Sequence, residues 1–359
     1  PKRAVGAIAA AAALLLALSS CSGAGSGGAG GDGALLKVGI ASLADTDSFD
    51  PGGATTTGGY VFASQVFDTL TEYDTTGAWV PALAESVEAG ESADHWTVKL
   101  REASWHDGSP VTADDVVATV KRWFADELPP AGSLPFIDPE GVKAVDERTV
   151  EFTLKYPTVV FPEALTSPTT SIVPADFDPK KPIGSGPYQV DDLQPGIQYA
   201  FTANDDYWGG EPGYDSLELV SFDSPSTEIN ALVGGQIDLA ADLDPSLIDV
   251  VESAGGYSIF SYPTSGTLTW VMNLEQEPFA DPVVRQALRL AVDRQQIVDQ
   301  VYNGHAKVGN DVFSPFDPLY NDELPQREAD PEAAKQMLTE AGYTLPVKVE
   351  LWGAPNQPT

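Results

Sequence analysis

Three groups of residues could do chemistry. Asp45, Asp47 and Asp50 crowd one short segment and could share a cation, but they lack the glycine and the closing glutamate of a calcium loop. His106-Asp107 puts an imidazole beside a carboxylate, the raw material of acid–base catalysis. Adjacent residues seldom converge on one site, however, and Asp107-Gly108 reads as a turn. Gly184-Ser185-Gly186 lacks the third glycine and the helix start of a dinucleotide fingerprint, and Pro187 follows directly. It reads instead as a crossing loop whose glycines absorb backbone rotation, that is, a hinge. No serine stands at nucleophile-elbow spacing near a His/Asp pair. The chain has three histidines, His95, His106 and His305, none at metal-ligand spacing with another, and one cysteine, Cys21. These residues disfavour a disulfide, a cysteine or histidine metal site, and any cofactor.

Cys21 has a different chemistry. Lys2 and Arg3 precede an apolar run from Ala4 to Leu18, which is too short to span a bilayer. The run ends at Leu18-Ser19-Ser20-Cys21 and passes into a Gly/Ser-rich stretch. The arrangement resembles a bacterial lipobox. It implies a signal peptide over 1–20, lipidation of Cys21, and a tether over 21–35 that holds the mature protein on the outer face of the membrane.

The elements that must position everything else follow from periodicity. Leu35 to Ile40 reads as a strand, and a polar crossing over 41–59 leads to a helix carrying Val61, Phe62, Val66, Phe67 and Leu70. Trp96, Val98 and Leu100 alternate with polar residues as in a strand, as do Val150, Phe152 and Leu154. Thr112 and Asp115 form a capping box for a helix that buries Val116, Val117, Val120, Trp123 and Phe124 and is stopped by Pro129-Pro130. Strands are expected over 187–190 and 197–201, at Leu217 and Leu219, and at Ile237 and Leu239. Ser224-Pro225 opens a helix that ends at Gly234-Gly235. Asp281-Pro282 opens what should be the longest helix, recapped at Asp293, and Asp330-Pro331 opens the last helix. Val347, Val349 and Leu351 then alternate as a strand. Interleaved strands and helices make the fold class α/β.

The chain carries 53 acidic against 19 basic residues over 359, a net charge of −34. Such a field repels nucleic acid and anionic lipid, and it tolerates cationic, zwitterionic or neutral ligands. It also serves simply to keep the protein in solution.

Three segments together resemble the bacterial extracellular solute-binding proteins of family 5, the dipeptide- and oligopeptide-binding lipoproteins of ABC importers. The first runs from Trp96 through Asp107-Gly108-Ser109-Pro110-Val111-Thr112-Ala113-Asp114-Asp115-Val116. The second is Pro182-Ile183-Gly184-Ser185-Gly186-Pro187-Tyr188 with Asn204-Asp205-Asp206-Tyr207-Trp208. The third is Phe279-Ala280-Asp281-Pro282 through Arg285-Gln286-Ala287-Leu288, then Ala291-Val292-Asp293-Arg294. The resemblance implies a two-lobed periplasmic-binding-protein-like fold (type II, cluster C) with an accessory domain. Lobe I would comprise 36–58 and 184–265, the accessory domain 59–183, and the start of an incomplete third domain 266–359.

The resemblance further implies that a peptide lies between the lobes and is delivered to ABC permease subunits by a monomeric, extracytoplasmic, lipid-anchored protein without any catalysis. Thr55, Thr56, Thr57 and Gly58 fall near the floor of the cleft, Thr267, Thr269 and Trp270 at the entry to the third domain, and Trp352 on a segment near the pocket. Trp270 and Trp352 could equally be core residues. Gly184, Ser185 and Gly186 would serve as the hinge. The alternatives are a secreted two-lobed hydrolase and a binding protein for nickel chelates or sugars. An incomplete third domain would leave cleft-facing apolar surface uncovered, so residues 22–359 are expected to aggregate in isolation. A cooperative melt with a monodisperse sizing profile would count against that.

Overall fold

A computed structural model describes residues 34–40, 43–44, 46–241, 243–262, 266, 269–310, 314–316 and 320–352. The signal peptide, Cys21 and the tether up to residue 33 lie outside the described residues. The chain divides into two units, Pro1–Asp223 with Gln236–Ala241 and Ser224–Gly235 with Asp242–Thr359.

The first unit opens with β1 (Leu35–Ile40) and α1 (Thr57–Val66). The chain then runs through β2 (Thr71–Tyr73), β3 (Trp79–Pro81), β4 (Ala84–Ala89) and β5 (His95–Leu100) into α2 (Ala113–Ala125) and α3 (Pro129–Ser133). Next come β6 (Ile137–Asp146), β7 (Thr149–Leu154), α4 (Phe161–Ala164), β8 (Tyr188–Gln194), β9 (Gln198–Ala203) and β10 (Ser216–Ser221). After α5 (Pro225–Val233), which belongs to the second unit, β11 (Leu239–Ala240) returns to the first.

These strands build two main sheets and a β2–β3 pair. The five-stranded sheet has the order β11-β1-β10-β9-β8, with β1 parallel to both its neighbours and β8, β9 and β10 antiparallel in turn. The four-stranded sheet is antiparallel, with the order β4-β5-β7-β6. Each sheet has its own apolar core. Ile40, Phe62, Val66, Phe67, Tyr199, Phe201, Leu217 and Leu219 form the first, on the five-stranded sheet. Leu70, Val98, Leu100, Val116, Val120, Trp123, Phe152 and Phe161 belong to the second.

Alternation is obeyed closely in β5, where Trp96, Val98 and Leu100 are buried and the residues between them face solvent. Helix α2 buries Val116, Val120 and Trp123 on one face. Two details differ from the sequence expectation. Helix α1 begins at Thr57 and ends at Val66, because Phe67 turns extended and the chain leaves the first core to place Leu70 in the second. Gly58 and Gly59 lie within this helix, which packs on the five-stranded sheet. Helix α2 stops at Ala125, before the proline pair, and Pro129-Pro130 instead start α3, where a missing N–H costs nothing.

The second unit contains α5, capped by Ser224, then α6 (Ile248–Ala254), α7 (Pro282–Ala291), α8 (Arg294–Val301) and α9 (Pro331–Glu340). The Asp281, Asp293 and Asp330 carboxylates cap α7, α8 and α9 in turn. The α7 and α9 ends are tied together by Asp330 N–H on the Leu290 carbonyl at 2.7 Å and by Tyr343 Oη on Asp281 Oδ2 at 2.8 Å. The longest helix among the described residues is α2, with 13, rather than the one starting at Pro282, which has 10. The strand expected at Val347, Val349 and Leu351 does not form. No strand among the described residues lies beside it to take up its N–H and C=O groups, and Val349 and Leu351 face solvent. Phe260, Tyr262, Val271 and Leu274 in this unit are likewise more than half exposed.

The α2 cap reaches beyond its own helix. Asp115 accepts from the Thr112 N–H at 2.9 Å and hydroxyl at 2.8 Å, and its other oxygen takes the Ala175 N–H at 2.9 Å. Thr112→Ala removes one of these bonds and should cost about 1 kcal/mol, whereas Asp115→Ala orphans all three donors and should cost about 2–3 kcal/mol. Urea denaturation of the two variants measures the difference.

Candidate functional site

The N-terminus of α1 gathers the polar crossing into one arrangement. Thr56 is the N-cap: its Oγ1 accepts from the Gly59 N–H at 3.0 Å and donates to Asp47 Oδ1 at 2.5 Å. The buried Asp47 also takes the Tyr199 hydroxyl at 2.7 Å and the Ala44 N–H at 3.0 Å on Oδ2. Burial and the facing Asp47 push the Tyr199 phenol well above its ordinary pKa, so it stays a donor. A Cβ on Gly58 would collide with the Asp47 carboxylate, so the helix starts where only glycine fits. Thr56 is therefore committed to the cap. The Thr55 and Thr57 side chains are exposed and make no hydrogen bond, and the first-turn N–H groups of Thr57 and Gly58 have no intrahelical acceptor.

Asp50, the second described member of the acidic trio, is also engaged. It caps the short turn at Pro51 through the Gly52 N–H and holds Arg122 of α2 in a two-pronged pair, Oδ1 to Nη2 at 3.0 Å and Oδ2 to Nη1 at 2.5 Å. Asp45 lies outside the described residues. Asp47 and Asp50, the described carboxylates of this segment, are thus tied to protein donors. No group of three or more metal-ligating side chains occurs among the described residues.

Gly184, Ser185 and Gly186 lie against the end of α1, at the seam between the two cores. Cβ atoms on Gly184 or Gly186 would run into the Val66 carbonyl group, so contact, not an unusual dihedral, demands glycine here. The Gly186 N–H donates to the Val66 carbonyl at 2.9 Å. Ser185 Oγ donates to Asp68 Oδ2 at 2.6 Å, and Asp68 also receives Trp208 Nε1 at 3.0 Å and the Tyr207 hydroxyl at 3.1 Å. Arg101 stacks on the Trp208 ring at 3.7 Å. His106 grips the same three residues from the other side: its N–H donates to the Gly184 carbonyl at 2.8 Å, and its ring lies 3.0 Å from the Gly186 carbonyl. The Asn204 amide shares that carbonyl at 3.0 Å. His106-Asp107 is thus no acid–base pair, because Asp107 turns away to cap the turn at Ser109.

The remaining candidates are scattered. Thr269 and Trp270 are exposed, as is Trp352 at 87%, and neither tryptophan makes a ring contact or hydrogen bond with another described residue. Thr267 lies outside the described residues. A surface cavity of about 590 Å³ lined by Trp105, Asp107, Thr112, Asp115, Phe177 and Lys181 includes none of the predicted ligand contacts. Sequence reasoning missed Asp68 and Arg101. The signal for them was Tyr207-Trp208, two aromatic donors in one motif that must find an acceptor when buried.

The family model of the bacterial extracellular solute-binding proteins, family 5 (middle region), matches residues 78–357. The dipeptide-binding protein of Escherichia coli K12 is 29% identical over 308 residues, 77% of this chain and 58% of its own length. The nickel-binding periplasmic protein of the same bacterium is 27% identical over 310 residues, 82% of this chain and 59% of its own length. The oligopeptide-binding protein AppA of Bacillus subtilis, solved with a nonapeptide, superposes with a TM-score of 0.74 at 27% identity and covers 90% of this chain and 67% of its own. The chain spans about six tenths of the length of these curated relatives. Its fold is that of the type II periplasmic binding proteins of this family.

Burial raises the Asp68 pKa to about 6, against the pull of its hydrogen bonds from Ser185, Trp208 and Tyr207. Between the unfolded value of about 4 and this value the native state binds the extra proton, so the stability contributed by Asp68 falls as pH rises. The stability of the wild type relative to Asp68→Asn should therefore drop by roughly 2 kcal/mol from pH 4 to pH 6. Chemical denaturation of both proteins across that range tests the sign.

Proposed function

This chain belongs to the bacterial extracellular solute-binding proteins of family 5, and from that premise we propose that it captures a peptide in an inter-lobe cleft and hands it to the permease of an ABC importer. The observation that carries the reading is the open polar end of α1. Two exposed threonine hydroxyls, and two first-turn N–H groups without an intrahelical acceptor, are held in place by a buried, fully bonded carboxylate. Hydroxyls and N–H groups so placed suit the repeating carbonyls and amides of a peptide backbone, which is recognised by main-chain pairing rather than by side-chain chemistry. Thr55, Thr57 and Gly58 contact the ligand, and Thr56 positions them. Thr267, Thr269, Trp270 and Trp352 extend the contact surface in the third domain, which begins near 266. Lobe I takes 36–58 and 184–265, the accessory domain takes 59–183, and Gly184-Ser185-Gly186 joins them. Members of the family bind solutes for transport and are not enzymes. The relatives act outside the cytoplasm, and lipidation at Cys21 would fix this chain, as a monomer, to the outer face of the membrane.

Titration calorimetry of the full-length gene product against a dipeptide-to-nonapeptide library tests the reading. Binding of at least one class with micromolar or better affinity is expected, and silence across the library with uptake of a nickel chelate or a sugar would move the assignment to those solutes. For a peptide that binds, the double substitution Thr55→Ala/Thr57→Ala should weaken affinity about tenfold, the worth of two modest hydrogen bonds, with an unchanged melting temperature. Thr56→Ala should lower the melting temperature as well.

A further inference from the structure

His106 is largely buried in the turn that precedes α2, and its ring meets two backbone groups of opposite kind. Nδ1 lies 3.3 Å from the Gly184 N–H, and Nε2 lies 3.0 Å from the Gly186 carbonyl oxygen. The Gly184 amide can only donate, so Nδ1 must carry a lone pair. The Gly186 carbonyl can only accept, so Nε2 must carry the proton. The surroundings therefore admit one neutral tautomer. A second proton would arrive on Nδ1 and face a donor.

We propose that His106 is a proton-released clasp: as the neutral ring it staples Gly184-Ser185-Gly186 of the crossing to the turn of the second core, and on protonation it lets go of Gly184 and loosens the seam between the two cores. The clasp is a regulatory device separate from the ligand contacts at α1.

The ionisable groups around it are few. Asp107, in the same turn, favours the protonated ring, but burial outweighs it and holds the imidazole below its ordinary pKa. The crossing itself contributes no ionisable side chain, and Asn204 on the next loop is neutral. Asp68 reaches the crossing through Ser185, with Tyr207, the Arg101 guanidinium over Trp208, and Glu72 around it. The two titrations act in opposite senses. With His106, the closed seam binds fewer protons than the open one, so opening becomes easier as pH falls below the ordinary histidine value of about 6.5. With Asp68, the closed seam binds more protons, so opening becomes harder over the range where that carboxyl takes its proton. A comparison that leaves Asp68 untouched isolates the histidine.

His106→Gln supplies such a comparison, since the amide offers one acceptor and one donor and takes no proton. Hydrogen exchange of the Gly184 amide, corrected for the intrinsic rate, is measured in the wild type and the variant from pH 7.5 to 5. The ratio of wild-type to variant protection should decline below pH ~6.5, by at most tenfold per pH unit. A ratio that stays constant across the range overturns the proposal. If His106→Gln does not fold, the long-range proton–nitrogen spectrum of the wild-type ring decides. A neutral ring protonated on Nε2 at pH 7.5, converting to the cation with loss of Gly184 protection, supports the clasp. A ring protonated on Nδ1, or a titration that leaves Gly184 protected, refutes it.

Discussion

The close approach of the 184–186 backbone to the end of α1 constrains the whole first unit. Two strands of chain, one leaving the first core at Phe67 and the other returning to it at Tyr188, pass so near one another that neither glycine can carry a side chain. That proximity buries polar backbone, which must then be paired. His106 and Asn204 supply the pairing, while Asp68 takes the Ser185 hydroxyl and is satisfied in its turn by donors from Tyr207 and Trp208. Two segments that read in sequence as separate fragments, around His106 and around 184–186 with 204–208, meet in one hydrogen-bonded knot in space. The same knot explains why the glycines read as a hinge in sequence: glycine is required by dihedral freedom and by close packing alike, and only coordinates separate the two causes.

Much of the architecture was legible from local rules. Caps at Thr112, Ser224, Asp281, Asp293 and Asp330 announced helices that the structure contains, because a cap is written in the residues that make it. Alternation in β5 and β7 was equally plain. The misses occur where a neighbour decides. Residues 347–351 have strand periodicity and no strand to pair with, and Leu70 fits the α1 spacing but packs in the other core. The candidate site was half legible. Short polar residues at 55–58 could be picked out by type, but the division of labour between Thr56, tied to Asp47, and its exposed neighbours depends on Tyr199, far away in sequence.

The acidic trio shows how context reassigns a chemical type. In sequence, Asp47 and Asp50 are two carboxylates that could share an ion. In the structure one anchors a helix start and the other forks onto Arg122 across the seam. A guanidinium held at both oxygens of a carboxylate is a directional joint as well as a charge pair, and a lysine would not replace it. The large negative excess of the chain is borne mostly on exposed side chains, where it shapes the surrounding field.

The tryptophans divide along similar lines. Trp96, Trp105 and Trp123 are sealed in the second core of the first unit, while Trp270 and Trp352 of the second unit stand in solvent. The molecule thereby carries its own pair of optical labels. Emission from the enclosed indoles reports the integrity of the four-stranded sheet. Trp79, Trp270 and Trp352, open to an aqueous quencher, would each change colour and accessibility when anything came to rest on it.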